Sequence, residues 1–152
     1  NFIGKHIDAE GDLIALNQDG SAHGSFIIDE PAECKAYIYS LDGELVRSIY
    51  LGPLGPGRHK FQWDGRDMLG VMMVPGTYFF QISAESADGE EVAVDTRISG
   101  LVTGVKFDDE DPLVFVGGVP IKLPQIREVK ISADGVLNSS DNDPSLSEGE
   151  II

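Results

Sequence analysis

Basic residues are scarce in this chain. Its 152 residues include 11 Lys and Arg against 26 Asp and Glu, which gives a formal net charge of −15 at pH 7. A field of that sign repels nucleic acids and anionic membranes, because both are bound by neutralising phosphate charge with Lys and Arg. The composition therefore excludes nucleic acid and membrane surfaces as partners and favours basic proteins or cations.

Cysteine and long hydrophobic runs are nearly absent. Cys34 is the only cysteine, so an internal disulfide is impossible, and its place in an apparent strand predicts a buried, inert thiol. No apolar run approaches the roughly 18–20 residues that span a bilayer. The first residues also lack the charged and apolar regions of a signal peptide. Because the chain begins at Asn1 rather than Met, we expect it to be a piece of a longer protein.

Residue patterns for catalysis or metal binding are missing as well. His6, His23 and His59 are scattered without the spacing of a metal site. No Gly-x-Ser-x-Gly motif supplies a hydrolase nucleophile. The acidic run at residues 108–111 lacks the spaced ligands of an EF-hand loop, so we expect a solvated bend there. The sequence therefore predicts no catalytic residue, no metal site and no cofactor.

Glycine and proline, in contrast, are plentiful. There are 18 Gly and 8 Pro, mostly in turn-like pairs, and no stretch shows sustained helical i, i+3, i+4 spacing of apolar residues. This pattern favours an all-β chain. The most informative stretch, residues 57–80, is typical of a strand, a turn, a short loop, a second turn and a strand. The residues that we predict to form the turns are Trp63, Asp64, Gly65, Asp67, Pro75 and Gly76.

The chemistry of these turns is local. An Asp side chain accepts backbone N–H groups, and Gly adopts positive φ at no steric cost. Pro75-Gly76 has a type II preference, in which Pro presets φ and Gly takes the left-handed position. Asp64 and Asp67 lie three positions apart in one turn. We therefore expect them to hold backbone donors rather than to act as the carboxylate pair of a glycosidase.

The lengths and spacing of the predicted strands indicate two domains and a tail. Short strands with one apolar face assign residues 21–96 to a fibronectin type III or immunoglobulin-like β-sandwich. Shorter strands after residue 98, with one helical turn at Pro124-Gln125-Ile126, favour a small β-barrel of the Tudor or SH3 kind. We expect the sandwich to be inserted into this discontinuous barrel, residues 1–20 plus 97–132. Residues 133–152 are acidic and rich in Ser and Asn, which predicts a flexible acidic tail.

Two features are candidates for partner contact. An apolar, Met-rich loop lies between the two turns, and flexible thioethers suit adaptable protein surfaces. The alternative is that this loop folds over the end of the sandwich. Tyr37 and Tyr39 share one strand face and could form an aromatic platform, although outer-face tyrosines are common in sheets. The protein-contact candidates in the loop are Leu69, Val71, Met72, Met73 and Val74.

An ordered set of motifs covers nearly all of residues 2–132, and its order is more specific than any single motif. The motifs are Ile3-Gly4-Lys5, Tyr39-Ser40-Leu41-Asp42-Gly43-Glu44-Leu45-Val46-Arg47, Leu51-Gly52, Gly57-Arg58-His59-Lys60-Phe61-Gln62-Trp63-Asp64-Gly65-Arg66-Asp67, Pro75-Gly76-Thr77-Tyr78, Gly100-Leu101-Val102-Thr103-Gly104-Val105 and Gly117-Gly118. This set resembles the C-terminal region of the flagellar hook-capping, or hook assembly scaffold, family (FlgD). The acidic tail after Ser132 goes beyond the family pattern.

The resemblance implies a Tudor-like barrel with an inserted fibronectin-like domain, in agreement with the strand pattern. It also implies a non-enzymatic scaffold at the tip of the growing hook, exported by the flagellar type III apparatus without a cleaved signal peptide. Its partner would be the hook subunit, whose polymerisation it would promote, and the full-length protein would self-associate as a cap oligomer. The alternative function is an extracellular carbohydrate-binding or adhesion module that uses the tyrosine face.

Overall fold

The structure, a computed structural model, describes residues 2–107 and 111–131. Alternating apolar and polar residues between Gly-containing turns give these residues a β-strand architecture. A single 3-10 turn, Leu123–Gln125, precedes the last strand. The strands in chain order are β1 His6–Glu10, β2 Leu13–Leu16, β3 Ala22–Ile28, β4 Ala32–Tyr39, β5 Leu45–Leu54, β6 Gly57–Trp63, β7 Gly76–Glu85, β8 Val94–Phe107, β9 Pro112–Val116, β10 Val119–Lys122 and β11 Ile126–Lys130.

The strands form two antiparallel sheets. One sheet has four strands in the order β2-β7-β4-β5. The other has seven strands, with a main path β10-β9-β8-β1-β11 and with β3 pairing both β8 and β6. The predicted fold class is confirmed in that the chain is all-β and contains an immunoglobulin-like β-sandwich. The predicted Tudor or SH3-like barrel is not closed in the described residues, because β10 and β11 lie at opposite ends of the order without pairing.

The larger hydrophobic core lies between the four-stranded sheet and β3 with β6. Strand β4 shows the alternation most clearly, since Cys34, Ala36 and Ile38 are fully buried while the residues between them face outward. Trp63, fully buried, packs edge-on against Tyr78 with ring centroids 5.0 Å apart. This burial of apolar area is the main favourable term in the stability of the sandwich.

A smaller core lies under the strands at the two ends of the chain. Its buried members include Ile7 of β1, Val102 of β8, Val114 of β9 and Ile121 of β10. Few residues line it, and the edge strand β11 is mostly exposed. This module therefore has a small core of its own and shares strands with its larger neighbour.

Strand β2 lies between the two cores. Because side chains alternate across a strand, Ile14 and Leu16 enter the larger core while Leu13 and Ala15 pack against the smaller one. The sequence assigned this strand to the barrel as part of residues 1–20. Its backbone pairs with β7 of the four-stranded sheet, from Leu13 opposite Phe79 to Leu16 opposite Gly76.

Strand β8 connects the two modules. The sequence predicted separate strands before and after residue 98, but β8 runs unbroken from Val94 to Phe107. Its first residues pair with β3 and its last residues with β9, while β1 pairs with its middle. Because one continuous strand carries hydrogen bonds to both modules, they are joined by backbone as well as by side chains.

A cluster of charges adds a second connection between the modules. Asp8 of β1 accepts hydrogen bonds through Oδ2 from Arg58 of β6, at 2.9 Å, and from Arg97 of β8. Arg97 also donates to Asp95 at 3.0 Å. The hydrogen bond to Asp95 raises the pKa of Arg97, burial opposes it, and the charge of Asp8 adds to the rise. Side chains of Asp8 and Arg97 are only 14% and 15% exposed, so the pair is shielded from water.

The single cysteine is buried, as the sequence predicted. Cys34 is a free thiol buried in β4, and burial together with the charge of Glu33 raises its pKa. A raised pKa keeps the thiol protonated and unreactive. Of the predicted acidic bend, residues 108–110 lie outside the described residues, and so does the predicted tail at residues 133–152.

Candidate protein-contact loop

The contact loop is the segment that connects β6 to β7, residues 64–75. It presents an unusual density of apolar side chains to solvent. Leu69 is 89% exposed, Val74 75%, Met68 61% and Val71 58%. Exposed apolar groups are common singly, but several in one loop form an apolar patch, which makes this loop the candidate site.

The loop begins at a fixed point. Trp63 ends β6 inside the larger core, and its ring N–H donates to the backbone carbonyl of Arg66 at 2.9 Å. Arg66 N donates in turn to Asp64 Oδ1 at 3.0 Å, which closes a turn around Gly65 at φ +79°. The buried indole therefore holds the first turn of the loop through a hydrogen bond that an apolar ring could not make.

Arg47 fastens this turn to strand β5. Its Nη1 donates to Asp64 Oδ1 and to the carbonyl of Arg66, both at 2.9 Å. Burial raises the pKa of Asp64, but the N–H of Arg66 and the charge of Arg47 outweigh it, so the net pKa lies below its usual range. The carboxylate is therefore charged at neutral pH and binds the loop to the four-stranded sheet.

Asp67 organises the second half of the loop. Its Oδ1 accepts the N–H groups of Leu69 and Val71, each at 2.9 Å. Its own N–H donates to the carbonyl of Val71 at 2.9 Å, and Gly70 takes φ +87° in the bend between them. One carboxylate oxygen thus satisfies two backbone donors and leaves the neighbouring apolar side chains facing water.

The end of the loop packs back onto the sandwich. Met73 is partly buried against the larger core, and its N–H donates to the carbonyl of Gly65 at 2.7 Å. The hydroxyl of Tyr78 donates to the carbonyl of Val74 at 2.5 Å, and burial raises the pKa of that hydroxyl. Gly76, at φ +149°, is already the first residue of β7. The type II turn predicted at Pro75-Gly76 is therefore wrong, because that turn needs Gly76 at a φ of about +80° ahead of the strand.

Met72 occupies an intermediate position. It is 47% exposed, and a Cβ added to Gly65 would lie 3.0 Å from its Sδ. A Cβ added to Gly20 would lie 3.2 Å from its Cε. The predicted contact set therefore divides in the structure: Leu69, Val71 and Val74 face solvent, Met72 lies against two glycines, and Met73 packs inward.

The tyrosine face lies beside the loop. Tyr37 and Tyr39 are on the outer face of β4, opposite the buried residues of that strand. Tyr39 Oη donates to Gln81 at 3.3 Å. Tyr37 pairs in register with Ser48 of β5, whose N–H lies 3.3 Å from Met68 Sδ. Met68 thus contacts the β5 residue that pairs with Tyr37.

Three residues of this site were absent from the sequence prediction. Arg47, Arg66 and Met68 fix the loop to β5, yet the contact of Arg47 with Asp64 spans 17 positions in the chain. No short-range pattern signals such a contact. The surplus of acidic residues is the only hint, because it makes every arginine a candidate partner for a carboxylate.

Among the described residues, no group of three or more His, Cys, Asp or Glu is placed to hold a metal ion. Within that same part of the chain, no helix has the length and apolar character needed to cross a membrane.

Together the fold and the loop define an immunoglobulin-like β-sandwich, joined to a smaller β-module, that presents an apolar turn-held loop at one end. Comparison with known proteins identifies its family. The FlgD Ig-like domain family matches residues 11–88, which is about half of the chain. The chain belongs to the FlgD family.

Curated relatives agree. The chain is 32% identical over 104 residues to the basal-body rod modification protein FlgD of Salmonella typhimurium, and equally to that of Salmonella typhi. The match covers 67% of this chain and 44% of each relative. The chain therefore spans less than half the length of the curated relatives that it matches.

Solved structures show the same fold. The crystal structure of FlgD from P. aeruginosa superposes with a TM-score of 0.67 at 24% identity, over 84% of this chain and 96% of that one. FlgD from Xanthomonas campestris superposes with a TM-score of 0.71 at 20% identity, over 85% and 94%. At sequence identities of 24% and 20%, the structural similarity establishes the fold alone.

Proposed function

We propose that this chain is the C-terminal part of a scaffold that caps the growing bacterial flagellar hook and promotes the polymerisation of hook subunits at its tip. The observation that carries the proposal is membership of the FlgD family over residues 11–88. The X. campestris relative with the same fold is described as bearing on hook capping essential for flagellar assembly.

The contact loop is the surface that we assign to the hook subunit. A cap must release each subunit after it is inserted, so its contacts are small and reversible rather than obligate. Leu69, Val71 and Val74 supply exposed apolar area, while Asp64 and Asp67 hold the backbone beneath them. Such a loop presents a preformed shape and loses little conformational entropy on contact.

Location and assembly follow from the same proposal. The protein acts outside the cell at the hook tip, after export by the flagellar type III system without a cleaved signal peptide. Its partner is the hook subunit, and the full-length protein self-associates as a cap oligomer. Neither nucleic acid nor membrane is a partner, in keeping with the net charge of −15.

The proposed function is structural rather than enzymatic, without a metal or cofactor. The family comparison favours it over the carbohydrate-binding alternative, since the relatives are named for the flagellar basal body. Tyr37 and Tyr39 are available on the outer sheet face, so the alternative has a direct test. We expect no binding on a glycan array, and Tyr37-dependent binding there would favour the alternative.

We also propose that the two cores are two domains, a sandwich inserted into a discontinuous barrel-like module. The separate hydrophobic clusters support this division, and so does the family match, because residues 11–88 cover most of the sandwich. A fragment of residues 11–98 is expected to show a cooperative unfolding transition. A fragment that lacks one would argue for a single domain.

The central experiment is complementation of a capless flagellar strain with the full-length protein to which this chain belongs. We expect hooks and motility to return, with hooks counted by electron microscopy. A full-length protein that is exported and folded but leaves the cells without hooks would overturn the proposal.

A further inference from the structure

The three methionines of the contact loop have different surroundings, although they lie within six positions. Met73 packs against the larger core. Met72 is 47% exposed and lies against Gly65 and Gly20. Met68 is 61% exposed and lies along the edge of the four-stranded sheet. The susceptibility of a thioether to oxidation follows its exposure, so the three sulfurs are not equivalent.

Met68 also has a structural task. In the described part of the chain, β5 pairs with β4 alone, so its other edge is unpaired. The N–H of Ser48 on β5 reaches Met68 Sδ at 3.3 Å, and the Ser48 hydroxyl lies 3.8 Å from the same sulfur. A thioether is a weak acceptor, and here it covers a strand edge that would otherwise be open to another chain.

We propose that Met68 is an oxidation site for peroxides, and that its oxidation to the sulfoxide releases the Met68 segment of the contact loop from the edge of β5. The geometry supports this in two ways. Of the three methionine side chains, the most exposed one is also the one that bridges the loop to the sheet. The other fastening of the loop to β5, from Arg47 to Asp64, contains no oxidisable atom, so it keeps the first turn of the loop in place and limits the release to the Met68 segment.

The chemical step needs one equivalent of hydrogen peroxide or an alkyl hydroperoxide. The sulfur lone pair of Met68 attacks one peroxide oxygen and the O–O bond breaks. An S–O bond forms, the transferred oxygen gives up its proton, and the departing oxygen takes up that proton and leaves as water or alcohol. The sulfur loses two electrons and the peroxide gains them. The product is a polar, chiral side chain in place of a flexible apolar one.

The sulfoxide does not fit the present contact. Its sulfur is positively polarised and no longer accepts the Ser48 N–H. The new oxygen is a stronger acceptor, and it can take that N–H only if the Met68 side chain moves away from the edge of β5. This movement loosens the contact at Ser48, and the loop surface becomes more polar. A further consequence rests on the proposed function. If the contact loop binds the hook subunit, oxidation of Met68 by peroxide weakens that binding.

The first test locates the oxidation. The intact 152-residue chain is treated with dilute hydrogen peroxide, and sulfoxide is assigned to each methionine by fragment-ion mass spectrometry. We expect Met68 to react about twofold or more faster than Met72, and Met73 to react last. Equal rates, or a faster reaction at Met72 or Met73, would overturn the proposal.

The second test follows the strand edge. Amide hydrogen exchange at Ser48 is expected to accelerate about tenfold after oxidation. Met68→Leu removes the reactive sulfur, so its Ser48 exchange should not respond to peroxide. Met72→Leu keeps Met68 and should respond like the wild type. Unchanged exchange at Ser48 in fully oxidised wild-type protein would refute the release of the loop.

A binding measurement separates this proposal from the proposed function. Purified hook subunit is expected to bind oxidised wild-type protein more weakly, and Met68→Leu equally well before and after peroxide. Suppose that Met68 oxidises and Ser48 exchange rises while binding is unchanged. The release of the loop by oxidation is then supported, and the assignment of the loop to the hook subunit fails. If peroxide neither oxidises Met68 nor raises the amide exchange of Ser48, the proposed oxidative release of the loop is wrong.

Discussion

Arg47 and Asp64 join the edge of the four-stranded sheet to the turn that opens the contact loop, with Nη1 2.9 Å from Oδ1. The same guanidinium nitrogen donates to the carbonyl of Arg66, which also accepts the ring N–H of Trp63. A buried indole, a partly exposed ion pair and one carbonyl oxygen therefore hold the first turn of the loop. Stability of the loop and its function can be tested separately because the exposed apolar residues lie beyond this turn.

Gly65 and Gly70 form a matched pair for testing how the loop is packed. Both have positive φ, +79° and +87°, but a Cβ at Gly65 would lie 2.9 Å from Leu16 Cδ1, while one at Gly70 meets nothing within 4 Å. We expect Gly70→Ala to cost about 1–2 kcal/mol from backbone strain alone. Gly65→Ala adds overpacking, for a total of about 2–5 kcal/mol in the free energy of unfolding. Equal costs by urea denaturation would contradict the close packing of Leu16 and Met72 around Gly65.

Asp64 gives the loop a pH dependence at low pH. Its pKa in the folded state is below the usual value, so it contributes stability above the unfolded-state pKa and loses it as the pH falls through the folded-state pKa. Between about pH 5 and pH 2, wild-type protein should lose more stability than Asp64→Asn. Asp19, whose pKa is lowered by hydrogen bonds from Ser21, also contributes less stability at low pH. Its effect is the same in the wild type and in Asp64→Asn, so it does not affect the comparison. Parallel stability curves would show that Asp64 makes no such contribution.

Leu69 and Val74 test the contact surface itself. Their side chains are 89% and 75% exposed, so the double substitution Leu69→Ser with Val74→Ser should change the free energy of unfolding by less than about 0.5 kcal/mol. Hook assembly is nevertheless expected to be lost in cells carrying the variant full-length protein. Leu101→Ser, an exposed apolar position in β8, is the control and should leave hooks unchanged. Normal hook number and motility in the double variant would remove the loop from consideration.

Met73 requires a different experiment from its neighbours. The sequence grouped it with Met72 as a contact residue, but its side chain packs against the larger core. Met73→Ser is therefore expected to destabilise the sandwich by about 1–3 kcal/mol, as measured by urea denaturation. Loss of hook assembly in that variant would not identify a contact. A Met73→Ser protein as stable as wild type would contradict the inward placement.

Asp8 tests the connection between the two modules. Its Oδ2 is shared by Arg58 and Arg97, and removal would leave Arg97, only 15% exposed, with Asp95 as its remaining anion. We expect Asp8→Ala to cost about 2–3 kcal/mol. Glu128→Ala breaks an exposed ion pair with Lys130 at 3.5 Å and should cost about 0.5 kcal/mol or less. Similar values for the two variants would show that the charge cluster does not stabilise the chain.

Local chemistry explains why much of the fold was predictable. Strand β4 alternates buried and exposed residues as its sequence alternates apolar and polar ones, and the short turns need the glycines that occupy them. The helical turn before β11 was expected at Pro124-Gln125-Ile126 and occurs at Leu123–Gln125. Each of these features depends on residues only a few positions apart, so a single stretch of sequence contains the information.

The parts that could not be predicted depend on long-range register. Strand β2 serves two cores because β7 pairs with its backbone, and the small module stays open because β10 and β11 do not meet within the described residues. The inward placement of Met73 also depends on the tertiary structure, since its side chain packs against a core built from strands that are distant in the chain. None of these outcomes follows from the pattern of apolar residues along one strand.

The sequence by itself determined an all-β chain, its turns, its single buried thiol and the family motifs, because alternation and turn propensity act over a few residues. Only the tertiary structure decided that Arg47 meets Asp64, that Asp8 joins three strands and that Met68 covers the edge of β5. These contacts join atoms that are distant in the chain, and their geometry is set by the packing of whole sheets.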